Sequence, residues 1–111
     1  MPKDWKQVTG SVTSAMGELR KGAPDVAKAF GGLAAAATAD GALDRKTKEL
    51  VALAISIARG CEGCIGFHTQ AAKKAGASRK EVIEIAGMAI YMGGGPSFVY
   101  GAQALEAYDQ L

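Results

Sequence analysis

Helix-length segments bounded by capping residues recur along this chain, and no stretch alternates apolar and polar residues as a half-buried strand requires. Asp4, Pro24, Asp44, Ser78 and Pro96 stand where helices start, and Gly22, Gly60, Gly76 and Gly93-Gly94-Gly95 stand where they stop. The chain therefore reads as all-α, a compact domain of about six helices spanning residues 1–111, with no internal repeat.

The first helix runs from an Asp4 cap to about Lys21, and the second starts at Pro24 and carries Val26, Phe30 and Leu33 into the run from Ala34 to Ala37. Gly31-Gly32 weakens the middle of that helix. Residues 38–42 read as a loop. Asp44 caps a third helix whose buried stripe is Leu50, Leu53, Ala54 and Ile57, and Gly60 ends it. A fourth begins near Cys61 and stops at Gly76, after Lys73 and Lys74. The fifth opens with the capping box Ser78-x-x-Glu81. Its apolar residues, including Ile83, Met88 and Met92, wrap most of the circumference, so it should be covered on nearly all sides by the core or by another subunit. Phe98, Val99, Leu105 and Tyr108 are the expected anchors of the last helix, and Trp5, Tyr91 and Tyr100 read as packing residues.

Composition narrows the class of function. At 111 residues and 49% hydrophobic, the chain suits one core and not two. Its 22 alanines and 15 glycines favour close helix contacts but supply little apolar area, so part of the burial is expected from self-association. A net charge of +2 with no long run of either sign gives no footprint for nucleic acid. The opening Met1-Pro2-Lys3-Asp4-Trp5 has no apolar leader core and no apolar run reaches membrane-spanning length, so no membrane partner and a cytoplasmic location are expected.

In that compartment a close cysteine pair points to redox chemistry or metal binding rather than to a simple staple. Cys61 and Cys64 are the chain's two cysteines and His68 its one histidine, and together with Glu49 they form Glu-x11-Cys-x2-Cys-x3-His. The last three share one helix face. Both cysteines fall in the first turn of the fourth helix, where free backbone N–H groups and the helix dipole favour a thiolate. A pair at this spacing can close a disulfide once one sulfur has become sulfenic acid. His68, one turn beyond Cys64, is placed to exchange protons with it. If the third and fourth helices fold back at Gly60, His68 faces the chain near position 52, within a turn of Glu49. Cys64 faces position 56, so Glu49 should act through His68 or a water. Two rival readings are a pair of buried small hydrophobes and a zinc site built from Cys61, Cys64, His68 and Glu49. The Gly93-Gly94-Gly95 run lacks the lysine of a phosphate loop and reads as a turn.

With these four positions, and with Phe67-His68-Thr69, Gly76-Ala77-Ser78 and Met92-Gly93-Gly94-Gly95-Pro96, the chain resembles the AhpD-like branch (alkyl hydroperoxide reductase D type) of the carboxymuconolactone decarboxylase superfamily. The resemblance covers roughly residues 43–105. It implies an all-α fold, trimers or hexamers, and peroxidase or disulfide-reductase chemistry with no bound cofactor. The implied reductant is an external dithiol such as dihydrolipoamide, presented by a reductant protein or lipoyl carrier. Carried over by position, Cys64 is the peroxidatic cysteine, Cys61 the resolving one, and Glu49 and His68 the proton relay. In one departure, Gly63 stands where the best-studied members carry a histidine, so the relay is shorter. The decarboxylase branch lacks the cysteine pair, and nothing else in the chain supports lactone decarboxylation. The sequence thus leads to a thiol-dependent peroxidase acting on a hydroperoxide. Its alternatives are a general disulfide reductase and a noncatalytic, redox-responsive oligomeric module.

Overall fold

Four of the helix starts in the computed structural model are capped by side chains that the sequence puts there. The carboxylate of Asp4 accepts from the N–H of Gln7 at 3.1 Å and that of Asp44 from Thr47 at 2.8 Å. Ser78 and Glu81 close a reciprocal capping box, the Glu81 N–H donating to Ser78 Oγ and the Ser78 N–H to Glu81 Oε1. Each cap satisfies donors that a helix cannot pair internally. The structure describes residues 3–111; Met1-Pro2, part of the opening read above as leaderless, lies outside them.

Six helices follow in order: α1 (Trp5–Gly22), α2 (Pro24–Thr38), α3 (Arg45–Arg59), α4 (Glu62–Lys74), α5 (Arg79–Gly93) and α6 (Gly95–Gln110), with no strand among the described residues. The fold is all-α, as the sequence indicates. Helices α3 to α6 pack on one another, α1 lies across α4, and α2 touches only α1 and α3. No described helix is long and apolar enough to cross a membrane.

Trp5, Leu53, Ile57, Ile65 and Val82 are fully buried and join the small residues Ala86, Ala89, Ala104 and Ala107 in one core. The small residues set the helix spacing. A β-carbon on Gly101 of α6 would sit 3.5 Å from that of Ala86 on α5. Trp5 pins the start of α1: its indole Nε1 donates to Glu106 at 2.8 Å and its backbone N–H to Gln110 at 2.7 Å, both on α6. Lys3 pairs with Glu62 at the head of α4.

The expectation that Phe98 and Val99 anchor the last helix needs correction, and two further apolar faces lie open within this chain. No residue of α2 is buried, and its stripe of Val26, Phe30 and Leu33 is 71%, 68% and 63% exposed, because α2 swings away from the core instead of lying on it. Helix α5 buries Val82, Ala86 and Ala89 but leaves Ile83, Met88, Tyr91 and Met92 in the open, so within this chain it is covered on one side only. On α6, Phe98 and Val99 face outward; the chain is anchored by Tyr100, Ala104, Leu105, Ala107 and Tyr108. Tyr91 is therefore not a packing residue within the chain, whereas Trp5 and Tyr100 are. The Gly31-Gly32 pair leaves α2 continuous.

Surface ion pairs join the core helices at their ends. Lys46 on α3 reaches Glu81 on α5 at 3.0 Å, and Arg79 on α5 grips Asp109 on α6 through two bonds of 2.9 and 3.1 Å. Three carboxylates are held below their ordinary range: Asp44 by its bond from Thr47, Glu81 by the Ser78 backbone N–H and then Lys46, and Asp109 by Arg79. A carboxyl group whose folded pKa is depressed contributes stability above its unfolded pKa, near 4, and that stability is lost as pH falls through the folded value. Urea midpoints should therefore decline below about pH 4. The decline should be shallower in Asp109→Asn, which starts less stable at neutral pH; an acid limb identical to that of the unsubstituted chain would remove Asp109 from this account.

Candidate active site

The turn between α3 and α4 is built on Gly60, which takes the left-handed conformation at φ +66°. Its N–H donates to Ile57 O at 3.1 Å, and the N–H of Cys61 reaches back to Ser56 O at 3.0 Å, closing the end of α3. Glycine is required here twice over. The left-handed backbone disfavours a β-carbon, and one would meet the ring of Tyr100 at 2.9 Å.

Cys61 is the N-cap of α4, and its sulfur accepts a hydrogen bond from the backbone N–H of Cys64 at 3.3 Å. The two cysteines are joined as a disulfide, with their Cα atoms 5.2 Å apart. The sulfur of Cys61 sits where the unpaired N–H groups of the first turn stabilise negative charge.

Residues 61, 64 and 68 project from one side of α4, while Gly63 and Gly66 fall on the other. There α1 lies close. A β-carbon on Gly66 would come within 2.7 Å of Thr9 and 3.5 Å of the Trp5 ring, and one on Gly63 would touch Val12 at 3.4 Å. Gly63, the position at which the resemblance would place a histidine, thus faces α1 in this chain, with Val12 in the way of a large side chain. Packing of α1 on the glycine side leaves the sulfur side facing outward.

Glu49 and His68 meet across the hairpin, with Glu49 Oε2 2.9 Å from His68 Nδ1. The carboxylate is 3% exposed and makes its contact from inside the protein, whereas the imidazole is half-buried. With Nδ1 held by an acceptor, the neutral ring carries its proton on that nitrogen and leaves Nε2 as the acceptor toward solvent. The register expected from the turn at Gly60 is the one observed, and Glu49 reaches the cysteine side of α4 through His68.

Cys61, Cys64 and His68 open on one recess of about 790 Å³, walled also by Phe30 of α2 and by Ala52, Ile55, Ser56 and Arg59 of α3. Sequence reasoning identified none of these additional residues as part of a site. Ile55 carried a signal, being a large apolar residue off the buried stripe of α3, and Arg59 is the basic residue nearest the cysteines in sequence. Among the described residues no cluster of three or more His, Cys, Asp or Glu stands in a metal-holding arrangement.

A family model described as the carboxymuconolactone decarboxylase family matches residues 24–107, which take in the whole recess. The chain belongs to the carboxymuconolactone decarboxylase family. It is 50% identical to a member of that family from Legionella pneumophila whose apo crystal structure superposes with a TM-score of 0.92, covering 96% of this chain and 95% of that one. An uncharacterized protein of Haemophilus influenzae is 44% identical over 106 residues, 96% of this chain and 94% of its own length. One from Cupriavidus necator is 37% identical over 111 residues, 100% of this chain and 98% of its own.

Loss of the carboxylate should be legible at the ring. In Glu49→Ala the neutral imidazole loses the acceptor that fixes its tautomer, so 15N shifts of His68 should move from the Nδ1–H pattern toward a mixture or the usual Nε2–H form. Unchanged shifts would mean that Glu49 does not orient the ring.

Proposed function

We propose that this chain is a thiol-dependent peroxidase in which Cys64 reduces a hydroperoxide and Cys61 restores it. The observation that carries the reading is the convergence on one recess of a closable cysteine pair at a helix N-terminus and a histidine held from behind by a buried carboxylate. Family membership is compatible with this chemistry, and the AhpD-like motif supports it.

In the proposed cycle Nε2 of His68 takes the proton of Cys64, and the resulting thiolate attacks the terminal oxygen of the hydroperoxide. The O–O bond breaks, the sulfur becomes sulfenic acid, and the alkoxide leaves with a proton from His68, whose positive charge Glu49 offsets. The thiolate of Cys61 then attacks the Cys64 sulfur and expels hydroxide, which takes a proton to become water and leaves the disulfide. An external dithiol reopens the pair in two exchange steps. The sum is one hydroperoxide and one dithiol converted to alcohol, water and a cyclic disulfide. A lipoyl carrier or small dithiol protein in the cytosol suits the reductant role, since the pair opens on a recess reachable from solvent.

With cumene hydroperoxide and dihydrolipoamide, the unsubstituted chain should consume many equivalents of peroxide, and Cys64→Ser should fall to the uncatalysed background. Cys61→Ser should react once and stall as sulfenic acid. Consumption of a single equivalent by the unsubstituted chain would sink the catalytic reading in favour of a redox-responsive module. Turnover of disulfides without turnover of peroxide would make the chain a disulfide reductase.

The same reading includes self-association. The outward faces of α2 and α5 carry Val26, Phe30, Leu33, Met88 and Met92, each more than half exposed, and grouped large apolar side chains of this kind mark contact surfaces. Trimers or hexamers, as the family resemblance implies, would cover them. Light scattering should give a mass of at least three chains, and Phe30→Asp combined with Leu33→Asp should lower it; a monomer at micromolar concentration would refute the assembly.

A further inference from the structure

The recess beside the sulfurs is not neutral. Phe30 and Ile55 make its wall apolar, and Arg59 places a permanent positive charge in the same wall, two residues before Cys61. Among the described residues Arg59 has no ion-pair partner: the five pairs present employ Lys3, Lys21, Lys46, His68 and Arg79. Two carboxylates stand near the site: Glu49 is buried and bonded to His68, Glu62 of α4 is paired with Lys3, and no acidic residue lines the recess. The hydroxyl of Ser56, which also borders it, is spent on the carbonyl of Ala52 at 2.7 Å. Arg59 is thus a charged donor beside an apolar surface, with no carboxylate of its own wall to neutralise it.

A guanidinium left open in this way is complementary to a carboxylate, which it binds through two parallel N–H donors. Apolar walls at the same opening take a hydrocarbon chain. We propose that Arg59 is the anion anchor of the recess and selects aliphatic substrates that end in a carboxylate, fatty acid hydroperoxides being the class that also carries the reacting O–O bond. The assignment rests on the peroxidase reading for the reacting group; recognition of the carboxylate does not depend on it.

Two measurements separate these layers. Reduced protein would be titrated with octanoate or octanamide while alkylation by the neutral reagent iodoacetamide is followed, so that occupancy of the recess is read as protection of the thiols. Octanoate should protect at about fivefold lower concentration than octanamide, the scale of one partly exposed guanidinium–carboxylate pair. Arg59→Gln should abolish the difference and Arg59→Lys should retain part of it. Steady-state turnover would then be compared for linoleic acid hydroperoxide and its methyl ester. The acid should show the lower KM, and Arg59→Gln should raise the KM for the acid toward that of the ester. Equal protection by octanoate and octanamide, or a preference that survives Arg59→Gln, overturns the anchor whatever the turnover. Arg59-dependent protection with neither hydroperoxide consumed keeps the anchor and overturns the peroxidase.

Discussion

The geometry of the site depends on one turn. Gly60 in the left-handed conformation folds α4 back along α3, and helix rise does the rest, bringing Glu49, about three turns before the glycine, against His68, about two turns after it. A β-carbon at this position costs about 1–2 kcal/mol in the backbone alone. It would also press on Tyr100 of α6, which closes over the turn and links the site to the packed core. The same turn commits the N–H of Cys61 to Ser56 O and so leaves its side chain as the cap of α4. Proton-handling pair and sulfur pair are both consequences of how α3 ends.

Small residues let the surrounding helices come near enough to support that arrangement. Helix α1 lies against Gly63 and Gly66, and α5 meets α6 at Ala86 and Gly101. What they give in closeness they lack in apolar area, since a buried alanine or glycine removes far less hydrocarbon from water than a leucine. The large apolar side chains of α2 and of the far side of α5 are correspondingly left outside. A chain with this distribution keeps apolar surface that the proposed self-association would cover, and α2, which also supplies Phe30 to the recess, carries part of it.

Much of this was legible in the sequence because it is local. Asp4, Asp44, the Ser78–Glu81 box and Gly60 act within a few residues of themselves, and helix limits followed from them to within about a residue. The Glu49–His68 contact was legible for a related reason: once a hairpin at Gly60 is assumed, helical rise fixes the register. What periodicity does not carry is the identity of the partner. It marks an apolar face on α2 and on α5 but is silent on whether the chain's own core or another molecule covers it, and the same silence lies behind the error at Phe98 and Val99. The recess escaped for the same reason. Phe30 reaches it from a separate helix, and Arg59 reads locally as a cation complementing the end of α3. Gly63 looked like a missing relay member, whereas in three dimensions it faces Val12 on the side away from His68.

The two sulfurs are not equivalent, and their difference gives the proposed cycle a direction. Cys61 sits at the cap, where the first-turn N–H groups act on its sulfur, and Cys64 lies on the helix one turn before His68. A thiolate stabilised by a helix N-terminus is a good leaving group and is present in quantity at neutral pH, but it is a weaker nucleophile than a more basic one. Those properties suit the resolving role, in which Cys61 attacks an already activated sulfenic sulfur and is later expelled when a dithiol opens the disulfide at Cys64. They suit less well the attack on a hydroperoxide, whose alkoxide leaving group also needs a proton. That proton is available beside Cys64, where His68 is held in orientation by a carboxylate that water scarcely reaches. The electrostatics of one helix end therefore support the proposed assignment of peroxide attack to Cys64 and resolution to Cys61, as the resemblance of the motif does.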